Sequence, residues 1–421
     1  MTIGLRHAAV KSLVIPPNAA IVSEEPIRKT FADRGTDTFS LRTPQNEPVP
    51  DGFREKHLDG GTCEMIPIRA LLCALLIWGA VAHADEHKSE PSYLRFVVKD
   101  AGAGGYEAFP DVCRLDDGRL ICVYYAGYGH TSLPNEKYSR GGRVSCCFSF
   151  DEGRTWSDPQ VLYDGPHDDR DPSVVQLADG TILCNFFTLS RSKQPGKSWE
   201  FDGSFVVTSK DQGETWSAPR MINREHACSS PIRVLKNGEL ILGMYGERDG
   251  VAYGGVVRSS DQGKTWSPMT RMDNNGAYLD AETDIIQLND GTLYAALRGG
   301  KGAQMHQSRS RDNGQTWTVC EPIGFHGHCP YFHRTNDGTI LLAHRIPATS
   351  LHYSSDECRS WSDNLQIDSS AGAYPSMVNL EDGSVLTVFY EEGSQSNIRA
   401  RRFEATKQGI QWLGFEQPGD R

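Results

Sequence analysis

The sequence predicts an all-β fold, a six-bladed β-propeller with four-stranded antiparallel blades. One observation is an eight-residue pattern of the form S-x-D-x-G-x-T-W that occurs five times. A second is a set of six Asp-Gly or Asn-Gly pairs, each set between apolar, alternating runs. The third is that the two signals alternate along the chain from residue 117 to residue 383. Such alternation means a repeated unit, and a unit of this size made of short strands stacks or closes radially.

The pattern reads SFDEGRTW (149–156), SKDQGETW (209–216), SSDQGKTW (259–266), SRDNGQTW (310–317) and SSDECRSW (354–361), the last with Cys358 for Gly and Ser360 for Thr. Its logic is local. The Asp carboxylate accepts backbone N–H bonds across a tight turn, Gly takes a positive φ, and Trp folds back onto the sheet. The turn pairs are Asp117-Gly118, Asp179-Gly180, Asn237-Gly238, Asp290-Gly291, Asp337-Gly338 and Asp382-Gly383, spaced by 62, 58, 53, 47 and 45 residues. Each is a hairpin signal joining strands 1 and 2 of a blade, and each aspartate box joins strands 3 and 4. The sixth unit has no box. Tyr93 to Lys99 (YLRFVVK) is a spare strand at the start, expected to complete the sixth blade and close the ring.

This order assigns the two faces. Boxes and hairpin turns share the lower face, so the boxes identify a fold and not a chemistry. The upper face collects the residues that begin each inner strand: Glu107-Ala108-Phe109, Asp169-Arg170-Asp171, Cys228-Ser229-Ser230, Asp280-Ala281-Glu282, His326-Gly327-His328 and Ala373-Tyr374. The second strands return there near Arg298, Arg345 and Glu391. Centring each hairpin on its turn pair puts Glu282 opposite Gly299, with Arg298 adjacent, and Tyr374 opposite Glu391. Carboxylates, arginines, histidines and a tyrosine therefore converge on one mouth.

Outside the propeller, Ala70 to Ala82 is a 13-residue apolar run after Met65 and Arg69, ending at Ala82-His83-Ala84. It is short for a bilayer span and reads as a secretory signal over 65–84, which implies a secreted or periplasmic protein with no membrane span in the mature chain. Residues 1–64 lack periodicity and read as a disordered or mis-annotated extension, leaving 85–421 as the folded propeller. The chain has 421 residues with 43 Lys+Arg, 54 Asp+Glu and a net charge of −11, which disfavours nucleic acid as a partner. Nine of the 11 cysteines fall in the folded part. Cys113 and Cys122 are expected to face each other across the first hairpin, as free thiols rather than a bridge. No CxxC pair or HExxH occurs, the acidic stretch Asp168, Asp169, Asp171 reads as an ordinary loop, and neither a metal nor a cofactor is expected.

Five boxes on a six-bladed count resemble the sialidase (neuraminidase) superfamily over essentially all of 92–415. In that family the fourth blade carries a Glu and, about sixteen residues on, an Arg; AETDIIQLNDGTLYAALRGG is similar, with Glu282 and Arg298. The resemblance implies Tyr374, in GAYPSMVNLEDGS, as nucleophile, Glu282 as its base, and Arg298 and Arg345 as substrate anchors. Tyr390-Glu391 resembles the family's Tyr-Glu pair in the last blade. Two features depart. The family's first-blade R-I-P is Ala108-Phe109-Pro110 here, so one arginine of the carboxylate-binding triad is missing. The first-blade loop 126–142 offers only His130 and Glu136 where the family has its acid/base Asp. Asp169 or Asp171 can substitute, and Asp169 is taken as the acid.

The chemistry that this implies is hydrolysis of a terminal, acidic sugar. A carboxylate on the anomeric carbon repels an anionic nucleophile, so a phenol activated by Glu serves instead. Arginine forks hold the carboxylate, and a separate acid protonates the leaving oxygen. Arg170, His328 and Glu391 are further candidates for binding substrate, and the partner implied is a glycan or glycoconjugate. Two other readings remain open. One is a different carbohydrate-active propeller, a non-sialic glycosidase or a polysaccharide lyase drawing on His130, His226, His328 and His333. The other is a non-catalytic glycan-binding propeller.

Overall fold

The computed structural model describes residues 94–300, 302–369, 372–393, 396–406 and 409–415. The expected leader and the N-terminal extension lie outside these residues, as do Tyr93, Cys63 and Cys73. Six sheets, each antiparallel between neighbours, are arranged radially as a six-bladed propeller. No helix among the described residues is long and apolar enough to cross a membrane. The inner strands are Tyr106–Arg114, Asp168–Gln176, Arg233–Val234, Thr283–Gln287, His328–Arg334 and Gly372–Asn379.

The ring closes through both ends of the chain. In the sixth blade, strand Asn397–Thr406 pairs through residues 398–401 with the N-terminal strand Leu94–Val98, and through 402–406 with the C-terminal strand Gly409–Leu413. The spare N-terminal strand thus takes its expected place, and the C-terminal strand adds a fifth member to that sheet. Closure leaves fewer free strand edges, the usual liability of an open sheet.

The cores lie between blades. Each of the five box tryptophans packs into the cluster shared with the preceding blade: Trp156 with the sixth, Trp216 with the first, Trp266 with the second, Trp317 with the third and Trp361 with the fourth. The sixth blade has no box, and Trp412 of the C-terminal strand fills the equivalent place against the fifth. Every box, including the degraded one, makes the same bonds. In the first, Asp151 Oδ1 accepts from Ser149 Oγ (2.9 Å) and the Thr155 amide (2.8 Å), and Oδ2 accepts from Thr155 Oγ1 (2.6 Å). In the last, Asp356 does the same with Ser354 and Ser360, and Cys358 adopts the left-handed φ of +59° that Gly takes elsewhere.

Two buried carboxylates tie the inner strands to one another. Asp111 of the first blade accepts from the Val174 amide of the second (2.8 Å) and from Ser376 Oγ of the sixth. Asp284 of the fourth accepts from the Phe332 amide of the fifth (2.7 Å) and from both arms of Arg233 of the third, with Nε at 2.9 Å.

The hairpin register differs by one from the expectation. All six turns are three-residue loops in which the residue before the turn bonds the residue after the Gly, as Leu288 N to Thr292 O (2.8 Å) and Gly291 N to Leu288 O (3.1 Å). Gly291, at φ +90°, supplies the left-handed conformation that this loop needs. A two-residue turn centred on Asp-Gly would require positive φ at both positions. The extra loop residue moves every partner by one, so Glu282 lies opposite Arg298 itself, whose amide donates to the Glu282 carbonyl at 2.9 Å. The same shift separates Cys113 from Cys122: their partners are Ile121 and Val112, and Cys122 instead lies opposite Cys147. All nine described cysteines are free thiols.

Candidate active site

Four inner strands carry the same distortion near their start. The ladder skips from Ala108 to Asp111, Arg170 to Ser173, His328 to Tyr331 and Ala373 to Ser376, each time passing two residues against one on the partner strand. The pairs passed over are Phe109-Pro110, Asp171-Pro172, Cys329-Pro330 and Tyr374-Pro375. Proline has no amide to give to the ladder, so it belongs at a bulge. The residue before each proline sits at φ +53°, +49°, +47° and +41° respectively. This is a strained conformation for a residue with a side chain, and bulges of this kind re-aim side chains. Phe109, Asp171, Cys329 and Tyr374 line one central depression, together with Ser229 of the third blade.

Glu282 reaches the same centre from the fourth blade. Its side chain is 6% exposed, and both oxygens are engaged. Oε1 accepts from the Tyr374 hydroxyl and from Arg298 Nη1 at 3.1 Å. Oε2 accepts from the Cys329 amide at 3.0 Å. The strained bulge of the fifth blade therefore presents its amide to the carboxylate. Arg298 is also held by Asp280 (3.2 Å), and the Arg345 guanidinium stands 5.7 Å from the centre of the Tyr374 ring. No ion pair holds Arg345 among the described residues, so its charge is available to an anion.

The electrostatics define the resting proton positions. Burial alone would raise the Glu282 carboxyl, but Arg298, the Tyr374 hydroxyl and Arg345 outweigh it and hold the group below the usual carboxylate range. Burial, with Glu282 and Asp171 nearby, pushes the Tyr374 phenol well above its ordinary value. Tyr374 is thus a neutral phenol donating to an anionic glutamate. His328, half-buried, is pushed down to about 3 by burial and by the Arg298 guanidinium, and is neutral.

Tyr374, Glu282, Arg298 and Arg345 meet as expected, with His328 beside them. Three other candidates do not present themselves in the expected way. Asp169 points away: Oδ1 accepts from Thr188 Oγ1 (2.7 Å) and Oδ2 from the Gly165 amide (2.8 Å), so it ties the second blade together. It is Asp171, two residues on and inside the bulge, that faces the depression. Glu391 lies opposite Gly372 rather than Tyr374, because the three-residue turn and the bulge at Tyr374-Pro375 each shift the ladder by one. Its carboxylate binds Arg399 and Asn397. The neighbouring Glu392, itself exposed, accepts from the Tyr390 (2.7 Å) and Tyr106 (2.9 Å) hydroxyls. Arg170 is buried and braces the first-blade loop, donating to the His130 carbonyl (2.5 Å) and Thr131 Oγ1 (2.9 Å), with its guanidinium 5.3 Å from the Phe109 ring. The recurrent X-Pro pair at the start of the inner strands was the sequence signal for the bulges, and hence for Asp171.

These features define a propeller whose centre holds a buried phenol–carboxylate pair flanked by guanidinium groups. Residues 118–387 match the BNR repeat-like domain, and the chain belongs to that family, within the sialidase/BNR-repeat superfamily of propellers. A sialidase from Bacteroides fragilis (strain YCH46) is 25% identical over 258 residues, covering 53% of this chain and 45% of its own length. A xyloglucanase from Paenibacillus sp is 28% identical over 185 residues, covering 38% and 16%. The chain thus spans less than half of the length of either relative. Among solved structures, the intramolecular trans-sialidase from Ruminococcus gnavus superposes with a TM-score of 0.59 at 15% identity, covering 75% of this chain and 98% of that one. That likeness is one of fold.

Proposed function

We propose that this chain is a sialidase-like exo-glycosidase that removes a terminal, acidic sugar from a glycan by a double displacement. The observation that carries the reading is the hydrogen bond from the Tyr374 hydroxyl to Glu282, which joins the sixth blade to the fourth at the centre of the ring. The Tyr374 oxygen attacks the anomeric carbon while its proton passes to Glu282, and the glycosidic oxygen leaves protonated by a separate acid. Water then attacks the same carbon, the Tyr374 oxygen leaves, and it regains its proton from Glu282. A phenol gives the nucleophile no charge until the bond forms, which suits an electrophilic carbon that bears a carboxylate. Arg345, which no ion pair holds among the described residues, and Arg298 are the anchors for that carboxylate.

A second reading rests on Phe109. Its ring packs 4.9 Å from that of Tyr374, in the bulge where a family arginine is absent from the neighbouring Ala108. An aromatic wall favours the C–H face of a neutral sugar, and the xyloglucanase relative is consistent with such a substrate. A panel of fluorogenic sialosides, uronides and neutral glycosides decides between the two, run beside Tyr374→Phe and Glu282→Gln. Turnover of an acidic glycoside lost in both variants supports the first reading. Wild-type turnover unchanged in both ends the assignment of the pair. The leader-like run 70–82 supports action outside the cytoplasm; finding the chain with its leader intact in the cytosolic fraction would contradict this.

A further inference from the structure

We propose that Asp171 is the proton donor and acceptor of this site, so that the acid comes from the second blade and not from the first-blade loop. The inference rests on the glycosidase reading above and names the group which that reading leaves open. Asp171 sits in the second blade in the same kind of bulge that positions Tyr374 in the sixth: each is a strained residue before a proline, and both line the same depression. Its Oδ2 accepts from Ser229 Oγ at 2.8 Å, and Ser229 Oγ is in turn 3.1 Å from the Tyr245 hydroxyl. Its Oδ1 is buried with no hydrogen-bond partner among the described residues, and Arg170 Nε stands at 3.7 Å. A buried carboxylate oxygen without a partner is costly unless something fills the place, and a substrate oxygen fits that role. The one carboxyl of the first-blade loop, Glu136, is exposed.

The surroundings raise the group towards neutrality. Burial raises the Asp171 carboxyl to about 6, against the opposing pull of Arg170 and Ser229 and with further upward pressure from the anionic Glu282 and Asp168. Tyr245 and Tyr374 also face it and are neutral phenols. Glu282, held low by two arginines, and Asp171, held high, are two carboxyl groups pushed apart by their surroundings, which is the pattern of a base and an acid at one centre. In the first half-reaction the Asp171 proton goes to the glycosidic oxygen as its bond to the anomeric carbon breaks and the Tyr374–carbon bond forms. In the second, Asp171 takes the proton of the attacking water, and the starting state is restored.

The test compares a glycoside carrying a sugar aglycone with one carrying a phenolic aglycone, which needs little protonation to leave. Asp171→Asn is expected to lose at least ~100-fold in kcat/KM on the first substrate and under ~10-fold on the second. It should also lose the basic limb that the wild-type pH profile is expected to have near about 6. Ser229→Ala removes a donor that lowers the Asp171 value, so in that variant the basic limb should move to higher pH. This readout does not depend on Asp171→Asn folding. Equal losses on both aglycones, or an unmoved limb in Ser229→Ala, would overturn the assignment. Tyr374→Phe separates the two levels of the argument. Loss of both substrates in Tyr374→Phe with equal losses in Asp171→Asn defeats the acid alone, whereas full activity in Tyr374→Phe defeats the underlying reading as well.

Discussion

Replacing Asp284 with Ala tests how the ring is held around the site. Asp284 is fully buried, lies two residues from Glu282, and joins the third, fourth and fifth blades. Its removal leaves Arg233 without its counter-ion and the Phe332 amide without its acceptor. Breaking a buried pair costs about 3–5 kcal/mol. Arg233 retains 23% exposure, which favours the lower end, about 3 kcal/mol. The orphaned amide adds about 1–2 kcal/mol. The expected loss is therefore about 4–5 kcal/mol, a large share of the ~5–15 kcal/mol typical of a folded domain. Urea unfolding followed by tryptophan fluorescence reads this as a fall in the midpoint. The double variant Arg233→Met/Asp284→Leu should be more stable than Asp284→Ala, because it leaves no unpaired charge. A loss below about 1 kcal/mol in Asp284→Ala, or a double variant less stable than the single, would refute the staple argument.

Three further outcomes follow from the geometry. Gly243→Ala should lower both stability and turnover, since a Cβ there is driven into the backbone carbonyl of Thr283, beside Glu282; unchanged turnover would show that this strand can shift freely. Glu391→Gln should keep glycosidase activity within about twofold, because the carboxylate serves Arg399 and not the centre; a hundredfold loss would return Glu391 to the site. Stability should peak near neutrality. Glu107, Asp169 and Asp171, raised to about 7, 7 and 6, bind protons more readily folded than unfolded and favour the folded state as pH falls from 7, but His130, His328, His333 and His344, pushed down chiefly by burial to about 3, 3, 4 and 3, bind them less readily folded and cost more stability as pH falls below about 6.5. The box residues Asp211, Asp261, Asp312 and Asp356, held at about 2 chiefly by their hydroxyl and amide donors, contribute stability above pH 4 that is lost as pH falls through 2. Urea midpoints across pH 2–8 check this, and a maximum below pH 5 would contradict it.

The parts of the molecule that were legible in the sequence are those set by local chemistry. An aspartate box carries its own hydrogen bonds within eight residues, and even the copy with Cys358 and Ser360 folds alike, so blade number and closure followed from counting. Glu282, Arg298 and Tyr374 were legible because they stand at fixed distances from turns. What local chemistry does not show is register. A three-residue loop in place of two, and a bulge at each X-Pro pair, change which residue meets which. In a strand each shift of one turns a side chain to the opposite face. The bulge at Asp171-Pro172 is why Asp171 and not Asp169 faces the depression, and the register shifts are why Glu391 lies opposite Gly372 rather than Tyr374. Trp412 was missed for another reason. It does the work of a box tryptophan without a box, because it arrives on the strand that closes the ring.

The central claim is that the Tyr374 oxygen becomes covalently bonded to the sugar, with Glu282 holding its proton. Rapid acid quench of the enzyme during turnover of a fluorogenic acidic glycoside, followed by peptide mapping by mass spectrometry, tests it directly. The account predicts a glycosyl adduct on the peptide that contains Tyr374, absent in Tyr374→Phe. An adduct on a different residue, or steady turnover by Tyr374→Phe at the wild-type rate, would contradict it.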